Sequence, residues 1–158
     1  DEALADYFGE YEVFSSEEKL YVPIENFNIK FKGFIDAVVK VGDSYHLFDW
    51  KTCSWGWDSR KKAEKMITYQ LTLYKHFFCQ KHKIDPDNVE THFALLRRTA
   101  KKDRVEIFRV TSGPKKTENA LKLLYQAIYN ITKRFSIKNR LNCHKPYPCK
   151  LLNTEHCP

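Results

Sequence analysis

Asn28-Ile29-Lys30-Phe31-Lys32-Gly33-Phe34-Ile35-Asp36-Ala37-Val38-Val39-Lys40-Val41 runs into Gly42-Asp43 and returns as Ser44-Tyr45-His46-Leu47-Phe48-Asp49-Trp50-Lys51. Both arms are rich in β-branched and aromatic residues, and the Gly-first pair between them suits a type II′ turn, so the segment reads as a β-hairpin. With Gly42 and Asp43 as the two loop residues, Val41 faces Ser44 and the register carries Asp36 directly across from Asp49. A symmetric four-residue loop preserves that opposition, whereas an odd loop with a bulge moves it by one residue.

Opposed carboxylates on one face of an antiparallel pair lie about 5 Å apart at Cβ and repel. A hard divalent cation, Mg²⁺ or Mn²⁺, turns that repulsion into coordination through carboxylate and carbonyl oxygens. Lys51 follows Asp49 by two residues and shares its face by strand alternation, which leaves a place for water between the metal and the ammonium. Activating that water on the metal, with Lys51 orienting it or stabilising developing charge, is the chemistry of phosphodiester hydrolysis. An isolated Asp-x-Lys is ordinarily a surface ion pair; its combination with Asp36 points to chemistry.

After a loop holding Trp55 and Trp57, residues 60–81 carry Met66, Ile67, Leu71, Tyr74 and Phe78 at helical spacing. Asp85-Pro86-Asp87-Asn88 ends that pattern, and a second hairpin is expected from Val89–Arg98 and Arg104–Thr111. Ser112-Gly113-Pro114 then suits a helix start, with Ser112 as cap. Leu121, Leu124, Ile128, Ile131 and Phe135 form its apolar seam, expected to pack on the sheet. Upstream, Leu20 to Ile24 reads as strand. The sequence thus predicts an α/β fold, a mixed central sheet flanked by helices, in a single domain over residues 1–158 with a loop-like tail from 137.

With 42% hydrophobic and 15% aromatic residues the chain is too apolar to be disordered, and it has no 18-residue apolar run to span a membrane. Lys and Arg number 27 against 20 Asp and Glu, a formal charge of +7, which favours a polyanionic partner, nucleic acid foremost. Cys53, Cys79, Cys143, Cys149 and Cys157, an odd set without a secretory pattern, fit a reducing cytoplasm. The acidic start Asp1-Glu2-Ala3-Leu4-Ala5-Asp6 lacks Met and a signal-peptide pattern and reads as an internal start, with something missing upstream.

Gly33-Phe34-Ile35-Asp36, Asp49-Trp50-Lys51-Thr52 and the Gln70 and Tyr74 of the following helix resemble, in order, the G-x-[IV]-D, [DE]-x-K-[TS] and Q-x-x-x-Y motifs of PD-(D/E)XK nucleases, particularly the RecB-like branch. Relatives there include CRISPR-associated iron–sulfur exonucleases, the mitochondrial genome-maintenance exonuclease and many phage-encoded nucleases. The resemblance spans roughly residues 14–110. It implies a restriction-endonuclease-like core and Mg²⁺- or Mn²⁺-dependent cleavage of DNA, exonucleolytic rather than endonucleolytic, at single-stranded or frayed ends. It implies a metal held by Asp36, Asp49 and the backbone carbonyl of Trp50, with Lys51, Gln70 and Tyr74 in the catalytic set. Spacing of i, i+4 puts Gln70 and Tyr74 on one helix face, from which amide and phenol reach the hairpin or a phosphate. The branch adds an acidic or histidine ligand from an N-terminal helix or a glutamate near the first strand. No histidine lies upstream, which leaves Glu18, ahead of Glu17, as that candidate.

Arg60, Lys61 and Lys62 enter the Gln70 helix close to the catalytic strand and suit DNA phosphates. Trp55 and Trp57 either stack on unpaired bases or cover the core. Arg97, Arg98, Lys101, Lys102 and Arg104 gather at the second hairpin tip and either extend that track or are solvated. Cys143, Cys149 and Cys157, near His144 and His156, resemble the C-terminal cysteines of the iron–sulfur relatives with different spacing. A cluster needs a fourth thiolate from Cys53, Cys79 or upstream; zinc needs a histidine; free thiols need neither. A nucleic-acid-binding module with an incomplete nuclease site and a structural metal-binding protein are the competing readings.

Overall fold

A computed structural model describes residues 2–135, 149–151 and 154–155. The chain divides into two compact units, residues 1–122 and 123–158. The first holds α1 (Glu2–Phe8), β1 (Glu12–Pro23), β2 (Lys30–Val41), β3 (Ser44–Cys53), the one-turn α2 (Ser59–Lys62), α3 (Lys65–His82), β4 (Val89–Arg97), β5 (Val105–Val110) and the start of α4 (Pro114–Thr132), which continues into the second. The strands form one sheet in the order β1-β2-β3-β4-β5. All neighbours are antiparallel except β3 and β4, whose parallel pairing uses α2 and α3 as the crossover. This is the mixed α/β sheet with helices that the sequence predicts.

Positive φ at Gly42 and not at Asp43 is the type II′ pattern, and the pairs from Val41–Ser44 to Ala37–Phe48 follow the expected register. Side chains leave the sheet in two layers. Leu4 of α1 packs on Val39, Phe48 and Ala94, with Ala37, Trp50 and Ile107 around them. On the opposite face, Leu71 of α3 packs on Phe93 and Val110 beside Ile67, Tyr74 and Phe108.

Five local features depart from the sequence reading. β1 starts at Glu12, well before Leu20; its polar run Ser15-Ser16-Glu17-Glu18-Lys19 is tolerated because β1 is an edge strand with one face in water. The helix expected from residue 60 breaks at Ala63 and Glu64. Asp58 caps α2 by accepting the Lys61 N–H at 2.7 Å, and the extended Glu64 restarts the chain as α3. Met66 lies off the buried stripe, 66% exposed, while Thr68 and Thr72 are buried with hydroxyls donated to the carbonyls of Lys65 and Thr68. Ser112 does not cap α4, because its hydroxyl pairs with Thr72 Oγ1 at 2.9 Å; Gly113 accepts the Thr117 N–H and Pro114 opens the helix. Of the seam, Ile128 is buried and Ile131 and Phe135 are exposed. Among the described residues no helix is long and apolar enough to cross a membrane.

Candidate active site

On β3, Phe48 and Trp50 belong to the α1 layer, so alternation turns Asp49 and Lys51 toward α3. Asp49 is only 3% exposed. Gln70 Nε2 donates to its Oδ1 at 3.0 Å, and the second hydrogen of the same amide goes to Tyr74 Oη at 3.1 Å. Lys51 Nζ stands 2.7 Å from the buried Oδ2 and forms an ion pair with it. Burial pushes the Asp49 carboxyl above the ordinary carboxylate range; Lys51 opposes the rise and the charge of Asp36 adds to it.

Asp36 enters differently from the simple hairpin expectation. The β2–β3 pairs end at Ala37–Phe48, and beyond them Asp36 Oδ2 accepts the Trp50 N–H at 2.7 Å. Alternation in β2 is interrupted at this point. Phe31 stacks on Phe77 of α3 and Gly33 faces Tyr74, whereas Ala37 and Val39, an even number of residues on, pack in the α1 layer. In β1, Glu17 at φ +50 falls in the gap between the pairs Ser16–Ala37 and Glu18–Ile35. Such irregularities re-aim side chains. Here the Asp36 carboxylate is directed along the sheet at the β3 backbone, beside Asp49.

The glycine of the first motif has a steric reason. A Cβ on Gly33 would meet Tyr74 Cε1 at 2.8 Å and Phe31 Cε1 at 3.1 Å, so only glycine leaves room for the Tyr74 ring. Asp36, Asp49, Lys51, Gln70 and Tyr74 are therefore brought together through hairpin and helix.

Glu18 is not brought to them. Its Oε1 accepts from Lys81 Nζ at 2.7 Å and lies 2.7 Å from His82 Nε2. Eleven residues, roughly 16 Å of helix, separate Lys81 from Gln70. Burial alone would raise the Glu18 carboxyl, but Lys81, His82 and Ser15 outweigh it and hold it below its ordinary value. Arg60 and Lys61 are exposed on α2, with Lys61 Nζ 4.8 Å from the centre of the Trp57 ring. Lys62 is tied to Glu106 and lies over Phe108. The two tryptophans divide: Trp55 is 84% exposed, while Trp57 packs against Phe93 at 5.4 Å. At the second hairpin tip, Arg97 and Arg104 turn back to the carbonyls of Asp103 and Ala100.

Cys143 and Cys157, with His144 and His156, lie outside the described residues, and Cys149 is exposed. Cys79 is buried, which pushes its thiol to about 11 and keeps its proton on. One polar group is not singled out by spacing: His46, Glu90 and His92 meet on the α1 face because β3 and β4 are parallel neighbours, a pairing no local motif announces.

The family profile of the PD-(D/E)XK nuclease superfamily matches residues 2–158. Among solved structures, a proposed exonuclease from Eubacterium rectale aligns with a TM-score of 0.58 at 15% identity, over 97% of this chain and 53% of its own. The protein SSO0001 aligns with a TM-score of 0.51 at 14% identity, over 81% of this chain and 54% of its own. The chain spans about half the length of each, and at these identities the likeness establishes the fold. No curated protein matches the sequence. With the sheet, the convergent carboxylates and a profile match over nearly its whole length, the chain belongs to the PD-(D/E)XK nuclease superfamily.

Proposed function

We propose that the protein is a Mg²⁺- or Mn²⁺-dependent deoxyribonuclease of the cytoplasm that cleaves DNA exonucleolytically at single-stranded or frayed ends. The observation that carries this reading is the buried Asp49 carboxylate, held by Gln70 and Lys51 and set beside a second carboxylate, Asp36. Two carboxylates held side by side repel, and a bound dication turns that repulsion into coordination. The donors are hard oxygens, which fit Mg²⁺ or Mn²⁺; Asp36, Asp49 and the Trp50 carbonyl would hold the ion. When bound, the metal supplies a lowered pKa to a water and neutralises charge on the scissile phosphate.

The chain's own groups do the rest. Gln70 engages Oδ1 and so fixes the carboxylate with Oδ2 presented, and Tyr74 fixes the amide of Gln70. Lys51 orients the attacking water and balances negative charge growing on the phosphate oxygens. Asp36, anchored by the Trp50 N–H, sets the second carboxylate. Exposed Arg60 and Lys61 suit flanking phosphates, and exposed Trp55 offers a stacking plane for an unpaired base. Lys62 and Trp57 brace the loop that presents them. The choice of DNA ends is supported by the resemblance to RecB-like exonucleases, and the excess positive charge supports a polyanionic substrate.

Purified protein with Mn²⁺ is expected to degrade linear DNA and spare closed circles. Both substrates left intact, with salt-dependent binding retained, would favour a binding module instead. Gln70→Ala is expected to slow cleavage by roughly 10- to 100-fold, a loss of orientation rather than of a reacting group, measured under single turnover. Asp36→Asn and Asp36→Ala should both lose cleavage but differ in stability. The amide oxygen of Asn still accepts the Trp50 N–H, while Ala orphans it at a cost of about 1–3 kcal/mol, read from denaturant midpoints.

The raised carboxyl of Asp49 gives a pH signature. Folding without metal favours its protonated form, so Asp49 adds stability below its unfolded value, and that contribution is lost as pH rises through the raised folded value. Metal requires the ionised form. Mn²⁺ affinity is therefore expected to fall on acidification through the range above the ordinary carboxylate value, with proton release on binding, which calorimetry in buffers of different ionisation enthalpy counts.

A further inference from the structure

His46 on β3 and Glu90 and His92 on β4 lie on the α1 face, across the sheet from Asp49 and Lys51. The parallel register places His46 beside Glu90 and Phe48 beside His92, so the three side chains rise from adjacent positions of two paired strands. His46 Nδ1 and His92 Nε2 are 3.0 Å apart, and Glu90 Oε2 is 3.7 Å from the first and 3.8 Å from the second. A triangle with these sides has its circumcentre about 2.0 Å from every corner. That distance matches zinc bonded to imidazole nitrogen and carboxylate oxygen, about 2.0–2.2 Å.

The surroundings favour ligation over solvation. His46 is 7% and His92 1% exposed, with Phe8 4.5 Å from His46, Phe48 stacked 4.9 Å from His92 and Tyr7 edge-on to His92. Burial lowers both imidazoles, His92 to about 3, so at neutral pH each ring keeps a lone pair. His46 Nδ1 and His92 Nε2 share a hydrogen bond, whose proton a metal bound to both nitrogens would displace, and the buried His92 Nδ1 has no hydrogen-bond partner of its own. Arg109 holds the other oxygen of Glu90, Oε1, at 2.9 Å, which leaves Oε2 facing the rings as an oriented donor. The guanidinium charge opposes a nearby dication and is met by the Glu90 carboxylate between them.

We propose that His46, Glu90 and His92 form a Zn²⁺ site, separate from the nuclease centre, that ties β3 to β4 beneath α1. Two imidazoles with one carboxylate select a transition metal over Mg²⁺ and leave the fourth position of a tetrahedral site to water. The site does not depend on the nuclease reading.

Co²⁺ titration of chelator-stripped full-length protein tests it, in an Asp49→Asn background that disables the carboxylate site. One equivalent is expected to bind with intense visible d–d bands, without the near-ultraviolet thiolate bands that the tail cysteines would give, and to be displaced by Zn²⁺. His46→Gln and Glu90→Gln should each weaken Co²⁺ binding by roughly 100-fold. Zn²⁺ should raise the unfolding temperature of the Asp49→Asn protein and not of these variants. Should His46→Gln fail to fold, the more exposed Glu90→Gln decides. Absence of Co²⁺ binding at micromolar concentration, thiolate bands, or d–d bands unchanged in Glu90→Gln would overturn the proposal.

Discussion

Alanine at Asp49 or Lys51 is expected to lower DNA cleavage by on the order of 10³-fold or more while leaving DNA affinity within a few-fold of wild type. Each removes a group at the proposed centre, whereas DNA affinity is expected to come from the exposed Arg60 and Lys61 of α2 and the net charge. The two variants should part company in stability. Burial raises the Asp49 carboxyl, so ionising it costs folding energy, and Asp49→Ala is expected to be near neutral or stabilising without metal. Lys51→Ala leaves that charge with Gln70 alone and should destabilise the metal-free protein, a loss that Mn²⁺ restores. Single-turnover cleavage, salt-dependent binding and thermal unfolding with and without Mn²⁺ separate these effects. Ordinary turnover in either variant would refute the assigned roles.

Gly33→Ala is expected to cost about 1–3 kcal/mol of stability, an unusual penalty for adding one methyl group on a strand. The methyl would sit 2.8 Å from a Tyr74 ring carbon and 3.1 Å from a Phe31 ring carbon, so relief requires the tyrosine to move. Since Tyr74 Oη is a partner of Gln70, that movement should also loosen the Asp49 contact and slow cleavage. A double-mutant cycle checks the cause. In a Tyr74→Ala background the same Gly33→Ala change should cost at least about 1 kcal/mol less, measured by denaturant unfolding. Equal penalties in both backgrounds would mean that the Tyr74 ring is not what excludes the Cβ.

Much of the centre was legible because it is local. A two-residue turn sets register by counting, strand alternation puts Asp49 and Lys51 on one face, and helical spacing puts Gln70 and Tyr74 on another. What escaped the sequence depends on departures from regularity or on distant partners. The interruption of alternation around Asp36 leaves no mark in composition, since Ile35-Asp36-Ala37 suits either parity. Glu18 read as a ligand candidate by position, but Lys81 and His82, more than sixty residues away, capture it. Contacts with Phe93 and Phe108, also distant in sequence, set Trp57 against the core, while Trp55 stays on the surface. The meeting of His46 with Glu90 and His92 follows from the parallel β3–β4 register, which a crossover of two helices conceals from any short-range pattern.

The most direct test of the proposed centre is an anomalous-scattering map from crystals of the full-length protein grown with Mn²⁺. The expected result is a Mn²⁺ peak within bonding distance of both Asp36 and Asp49 carboxylates, with Lys51 Nζ facing a metal-bound water. Manganese bound elsewhere, with those carboxylates still paired only to Lys51, Gln70 and the Trp50 N–H, would contradict it.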